Sequence, residues 1–201
     1  MPLGWLGVEA AVVAVVCFFI GSINPASLVA RALGRDLRSA GSGNPGATNA
    51  GRVLGRRWGA LVLVLDVVKA WLPTVLVLRT MGTLPAVVAG SAVVLGHVFS
   101  PFLRGRGGKG VACALGAVLA LEPVVAVGAV LVFGLAKLVL PYVGEASVVT
   151  MLVVAVFGVL GVLGVVGFIT PVVGVWLVLV SVLVLSRHRR NVVAWWARRV
   201  G

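Results

Sequence analysis

Long apolar runs alternate with short basic stretches along this chain, and the runs have membrane-spanning length. Leu6–Val29 carries a single charge, Glu9; Trp58–Leu78 carries only Asp66 and Lys69; Leu84–Leu103 carries none. Each is near the roughly 20 residues that a helix needs to cross a hydrocarbon core. Val111–Leu140 is too long for one span and short for two, and Glu122-Pro123 falls near its middle. Ser147–Ser186 is longer again, with Thr170-Pro171, or the glycines before it, as the divider. A proline ends one helix and is tolerated in the first turn of the next, so both dipeptides read as breaks. The pattern predicts an all-α polytopic membrane protein, a single domain over residues 1–201 with about seven transmembrane helices. The count falls to five if the short pairs are hairpins that do not span.

Composition agrees with the pattern. The chain has 201 residues, 61% hydrophobic and 11% charged, more apolar surface than a soluble domain of this size can bury. No Lys or Arg precedes the first run, which therefore does not read as a signal peptide. Cys17 and Cys113 lie in or beside apolar runs and read as small buried hydrophobes rather than a disulfide or metal pair. The net charge of +12 sits on a hydrophobic chain, which makes topology a better explanation for it than nucleic acid. Fifteen of the 17 basic residues fall in four places: Arg31 to Arg57, Arg104 to Lys109, Lys137, and Arg187 to Arg199. With seven helices all four lie on one face, and the positive-inside rule makes that face cytoplasmic. The N-terminus is then outside, the C-terminus inside, and the polar loops 36–57, 96–112 and 186–199 share the cytoplasmic side.

Those loops carry the candidate chemistry. Asp36 to Arg52, DLRSAGSGNPGATNAGR, is glycine-rich and basic, with Ser42 or Asn44 placed to cap a following helix and Pro45 in its first turn. Glycine backbone and a helix N-terminus suit a phosphate or another oxyanion; a solvated interhelical loop explains the same composition. Gly96 to Ala112, GHVFSPFLRGRGGKGVA, is a second glycine loop opening a helix, with Lys109 to meet an anion. No Ser or Thr follows the lysine and no strand precedes the loop, which disfavours nucleotide hydrolysis. His97, just before it, reads equally as a structural residue bonded to a carbonyl or as a catalytic one. In Ser186 to Arg199, SRHRRNVVAWWARR, His188 and Asn191 share one face if the last helix runs through them. Trp195 and Trp196 suit the headgroup layer, with the arginines facing anionic lipid.

GSGNPGATN followed by Arg52, GHVFSPFLRGRGGKGVA, and HRRN resemble the three cytoplasmic motifs of the bacterial acyl-phosphate:glycerol-3-phosphate acyltransferases. The chain is also similar to them in length, in Gly21-Ser22-Ile23, and in LDVVK, Leu65 to Lys69. The resemblance covers the whole chain. It implies a multi-pass enzyme of the bacterial inner membrane that needs no cofactor or metal and works as a monomer among membrane lipids. Its reaction would move a fatty acyl group from acyl phosphate to the 1-hydroxyl of glycerol 3-phosphate, the first step of phospholipid synthesis. Carried over by position, the catalytic residues fall on Ser42, Lys109, His188 and Asn191. Phosphate binding falls on Arg52, Thr48, Asn49 and Ser147, and the loops are shaped by Gly41, Gly43, Gly46, Gly107, Gly108 and Gly110. The residues fit independently: two phosphorylated substrates need two oxyanion pockets, and two glycine loops with Arg52 and Lys109 supply them. No Ser-His-Asp set is present. His188 or a substrate phosphate oxygen takes the hydroxyl proton.

The chain departs from the family at several points. Asn24 stands where proline is common, Cys113 where threonine is usual, and Gly144-Glu145 interrupt a family loop otherwise kept in Tyr142, Val143 and Ser147. The glutamate that ends the family's third motif is missing. These departures leave open a paralogue acylating another phosphorylated alcohol. A phosphate or lipid-phosphate transporter is the alternative of a different class. Against it, only Asp66 and Lys69 lie at depth, and their i,i+3 spacing makes them a mutual pair.

Overall fold

The computed structural model describes residues 3–200 and is helical throughout, with no strand among the described residues. The helices are α1 (Leu3–Ser22), α2 (Pro25–Ala32), α3 (Ala47–Leu54), α4 (Arg56–Met81), α5 (Thr83–Val98), α6 (Val111–Leu121), α7 (Pro123–Val139), α8 (Val143–Val162), α9 (Pro171–Ser186) and α10 (Arg189–Val200). A 3-10 turn at Pro101–Leu103 precedes α6. The chain forms two compact units that divide at Ala120 and Leu121.

Four stretches are long and apolar enough to cross a membrane: Gly7–Ala32, Arg56–Met81, Thr83–Leu103 and Val143–Val162. A fifth arises if Pro171–Ser186 and Arg189–Arg199, bent by 66° at their junction, are one span. Val111–Leu121 and Pro123–Val139 are apolar but shorter. The expected breaks stand where proline and a preceding polar residue put them. Pro123 opens α7 directly after Glu122, and Thr170 caps α9 with Pro171 in its first turn. Large apolar side chains such as Val64, Leu76, Val130, Leu135 and Leu179 face outward along the helices, an arrangement that suits lipid rather than water.

In the first unit α1 packs on α5, and α4 packs on α3 and α5. Small residues let the backbones approach: a Cβ on Gly21 would strike the Val93 carbonyl, and one on Gly96 the Phe18 carbonyl. The first apolar run is not one helix. It breaks at Ile23-Asn24, because Pro25 removes a backbone donor and Asn24 caps the new helix, its Oδ1 accepting from Ser27 N at 2.8 Å. In the second unit α8 packs on α7 and α9, and α10 on α8.

Candidate active site

In the first glycine loop, the expected side-chain caps do not form. Helix α3 starts at Ala47 with Gly46 as its N-cap residue and no side-chain cap bond, so Ser42 and Asn44 cap nothing and Pro45 lies outside the helix. Asn49 organises the loop instead. Its Oδ1 accepts from Ser42 N at 2.8 Å, and its Nδ2 donates to the carbonyls of Leu37 and Ala40, both at 3.1 Å. Every polar atom of that buried amide is thereby turned on the loop itself. Gly41 follows from this: its φ is +62°, and a Cβ there would strike Asn49 Oδ1. Leu37 anchors the loop from below in an apolar cluster with Ala26, Ala30, Ala50 and Val62. Asn24 ties the loop's far end, donating to Pro45 O at 2.9 Å. Ser42 is left exposed on this braced loop, Thr48 on the first turn of α3 and Arg52 on its last.

The second loop is built on the end of α5. Gly107 and Gly108 donate their backbone N–H groups to the carbonyls of Val98, at 3.0 Å, and His97, at 3.1 Å. These two amides face α5 and not an incoming anion; the loop presents Lys109 and, at φ +89°, Gly110, directly before α6. The two loops are stitched by Arg38, whose guanidinium donates to Leu103 O at 2.9 Å. Lys109 is half-buried. Its burial first, and then the charge of neighbouring Arg52, hold its ammonium below the ordinary lysine range. Arg52, on the last turn of α3, thus lies close enough to disfavour the Lys109 charge, and an anion beside Lys109 would offset that.

Beneath the second loop lies a polar group that the sequence revealed only in part. Asp66 and Lys69 do pair, at 2.8 Å. Lys69 also reaches the Ile23 carbonyl at 2.7 Å and His97 Nδ1 at 3.0 Å, and His97 Nδ1 lies 3.4 Å from Asp66. Cys113 closes the group, its thiol directed at the Asp66 carbonyl at 3.4 Å. Asp66, His97 and Cys113 offer three metal-type donors within 4.8 Å of one another. The position a cation would take against Asp66 and His97 is held by the Lys69 ammonium, so the donor set does not suit a metal ion. Because these charged groups engage one another, they do not read as a transport route.

The second unit carries Ser147, His188 and Asn191. Ser147 Oγ donates to Val143 O of its own helix at 2.9 Å. The last helix does not run through His188 and Asn191. α9 ends at Ser186 and α10 begins at Arg189, so His188 sits buried in the elbow, its Nδ1 2.8 Å from Val184 O. Asn191 follows on the first turn of α10, its amide against Gly144, where any Cβ would strike it. Glu145 went unread as a structural residue. It is buried, pairs with Arg198 of α10, and Arg198 also lies over the Tyr142 ring at 4.3 Å. One of the residues that departs from the family thus fastens α10 to α8.

Fold and loops together define a polytopic helical membrane protein with two glycine-rich basic loops. A match to the glycerol-3-phosphate acyltransferase family spans residues 11–198, and the chain belongs to that family. The glycerol-3-phosphate acyltransferase of Aquifex aeolicus is 36% identical over 187 residues, which cover 92% of this chain and 94% of that protein. The one from Geobacter sulfurreducens is 38% identical over 179 residues, covering 88% and 89%. Among solved structures, the glycerol 3-phosphate form of PlsY (YgiH), an integral membrane glycerol 3-phosphate acyltransferase, is 35% identical. It superposes with a TM-score of 0.87 over 94% of this chain and 93% of that one. Its lysophosphatidic acid form gives 0.85 at 34% identity over the same shares.

Proposed function

We propose that this family member transfers a fatty acyl group from acyl phosphate to the 1-hydroxyl of glycerol 3-phosphate. The hydroxyl oxygen attacks the acyl carbonyl carbon and the carbonyl–phosphate C–O bond breaks. Inorganic phosphate leaves with the electron pair, and the product is lysophosphatidic acid. The observation that carries this reading is the juxtaposition of Arg52, on the helix the first glycine loop leads into, with Lys109 on the second loop stitched to the first. Arg52, a planar fork, suits the acceptor's phosphate. Lys109 suits the leaving phosphate, where negative charge grows in the transition state. Ser42 and Thr48, exposed beside them, are hydroxyl donors for the same oxygens, and Asn49 acts by holding the loop. The glycines Gly41, Gly43, Gly46, Gly107, Gly108 and Gly110 shape the loops.

For Ser147, His188 and Asn191 the family resemblance supports the proposed roles, with His188 or a phosphate oxygen receiving the hydroxyl proton. The basic loops are proposed to face the cytoplasm, with the N-terminus outside, in the inner membrane of a bacterium. The protein is proposed to act as a monomer without metal or cofactor. The test is direct: purified protein with palmitoyl phosphate and glycerol 3-phosphate should release lysolipid and phosphate in equal amounts. Comparable rates with acyl-coenzyme A, in preparations free of acyl phosphate, would refute the choice of donor.

A further inference from the structure

We propose that Asp66, Lys69 and His97 form a buried positioning device for Lys109, working through the second loop; this rests on the role given to Lys109 above. The side chains of Asp66, Lys69 and His97 are respectively 2%, 10% and 4% exposed, and none of the three is in the transfer chemistry. A buried charged group is expensive, so its retention calls for a use.

The geometry supplies one. An ammonium has three hydrogens and no lone pair; Lys69 donates to the Ile23 carbonyl, meets His97 Nδ1 at 3.0 Å and pairs its charge with Asp66 at 2.8 Å. One side chain of α4 thereby ties the broken end of α1 to the last turn of α5. Held through Nδ1 against both Lys69 and Asp66, the ring keeps one orientation.

That ring is the wall against which the loop is laid. Gly108 packs on it so closely that a Cβ would strike Nε2, while Gly108 N donates to the His97 carbonyl. Gly107 is pressed on the same carbonyl. Lys109 is the next residue. Its backbone position is set by a ring whose orientation is set by Lys69, whose place is set by Asp66. These three touch no substrate and act through Lys109.

The test uses full-length protein in detergent and two variants. Asp66→Leu with Lys69→Met replaces the ion pair by apolar side chains, a change that often leaves folding stability unaltered. His97→Asn keeps a polar partner for Lys69 and Asp66 where Nδ1 stood and removes the wall under Gly108. Each is measured for kcat and both KM values with palmitoyl phosphate and glycerol 3-phosphate, alone and combined with Lys109→Ala. Both variants should keep a folded, monodisperse protein and lose turnover by roughly 10- to 100-fold, the scale of a displaced catalytic group. In the Lys109→Ala background neither should cost more than about twofold further, since groups acting through one residue are not additive. Wild-type kinetics in both variants, or losses that multiply with that of Lys109→Ala, overturn the proposal. If Lys109→Ala is itself as active as wild type, it is the role of Lys109 that fails, a distinct result.

Discussion

Replacing Asn49 by alanine should disable the first loop without touching substrate. The side chain makes three hydrogen bonds to that loop, to Ser42 N, Leu37 O and Ala40 O. At about 1 kcal/mol net for each, their removal weakens the loop by about 3 kcal/mol, and the buried residue leaves no route for water to replace them all. Were the whole amount to appear as displacement of Ser42, Thr48 and Arg52, it would lower kcat/KM by roughly 10²-fold. Asn49→Asp sharpens the point. It keeps the acceptor for Ser42 N but turns an oxygen toward two carbonyl oxygens, so it should do no better than alanine. The assay is kcat/KM for both substrates, beside hydrogen exchange at the Ser42 amide, which should lose protection in Asn49→Ala. Wild-type kinetics with an unprotected Ser42 amide would mean that loop order is irrelevant to activity; wild-type protection would mean that the brace is not there.

Three further outcomes follow from the geometry. Lys109 must be charged to hold phosphate, so activity should fall as pH rises through its lowered pKa; Arg52→Gln removes part of the lowering and should move the alkaline limb of the turnover profile upward. Arg198→Ala leaves the buried Glu145 carboxylate without its partner and should cost about 1–3 kcal/mol of stability, whereas Glu145→Leu with Arg198→Leu should melt close to wild type, as read by thermal unfolding in detergent. A periplasm-active reporter fused after Gly201 should stay silent, and a strong signal would reverse the proposed orientation.

Much of the helical architecture was legible because lipid simplifies the code: apolar run length and prolines mark helices and breaks. Glu122-Pro123 and Thr170-Pro171 were readable for that reason. The break at Ile23-Asn24 was absorbed into one run because apolar residues flank it on both sides, though Ser22 and Asn24-Pro25 form a stop and a cap-and-start signal. The elbow at His188 has no proline or glycine to announce it; helical spacing alone suggested continuity there. In the site, residue types pointed to anion chemistry but could not say which atoms were already spent. Asn49 reads as a ligand in the string and is a brace in space, and the Gly107 and Gly108 amides turn out to serve α5. The third member of the Asp66–Lys69 pair, His97, lies 28 residues away from Lys69, a separation that no local pattern carries.

The central claim is that two loops hold two phosphates with different roles, and a steady-state matrix in both substrates tests it most directly. Arg52→Lys keeps the charge but loses the planar fork, so it should chiefly raise KM for glycerol 3-phosphate. Lys109→Ala removes a donor to the leaving phosphate and should lower kcat by roughly 10²–10³ at saturating acceptor. If Lys109→Ala weakens acceptor binding alone while Arg52→Lys leaves acceptor dependence untouched, the pockets are reversed; if neither variant changes a rate, these loops are not the active site.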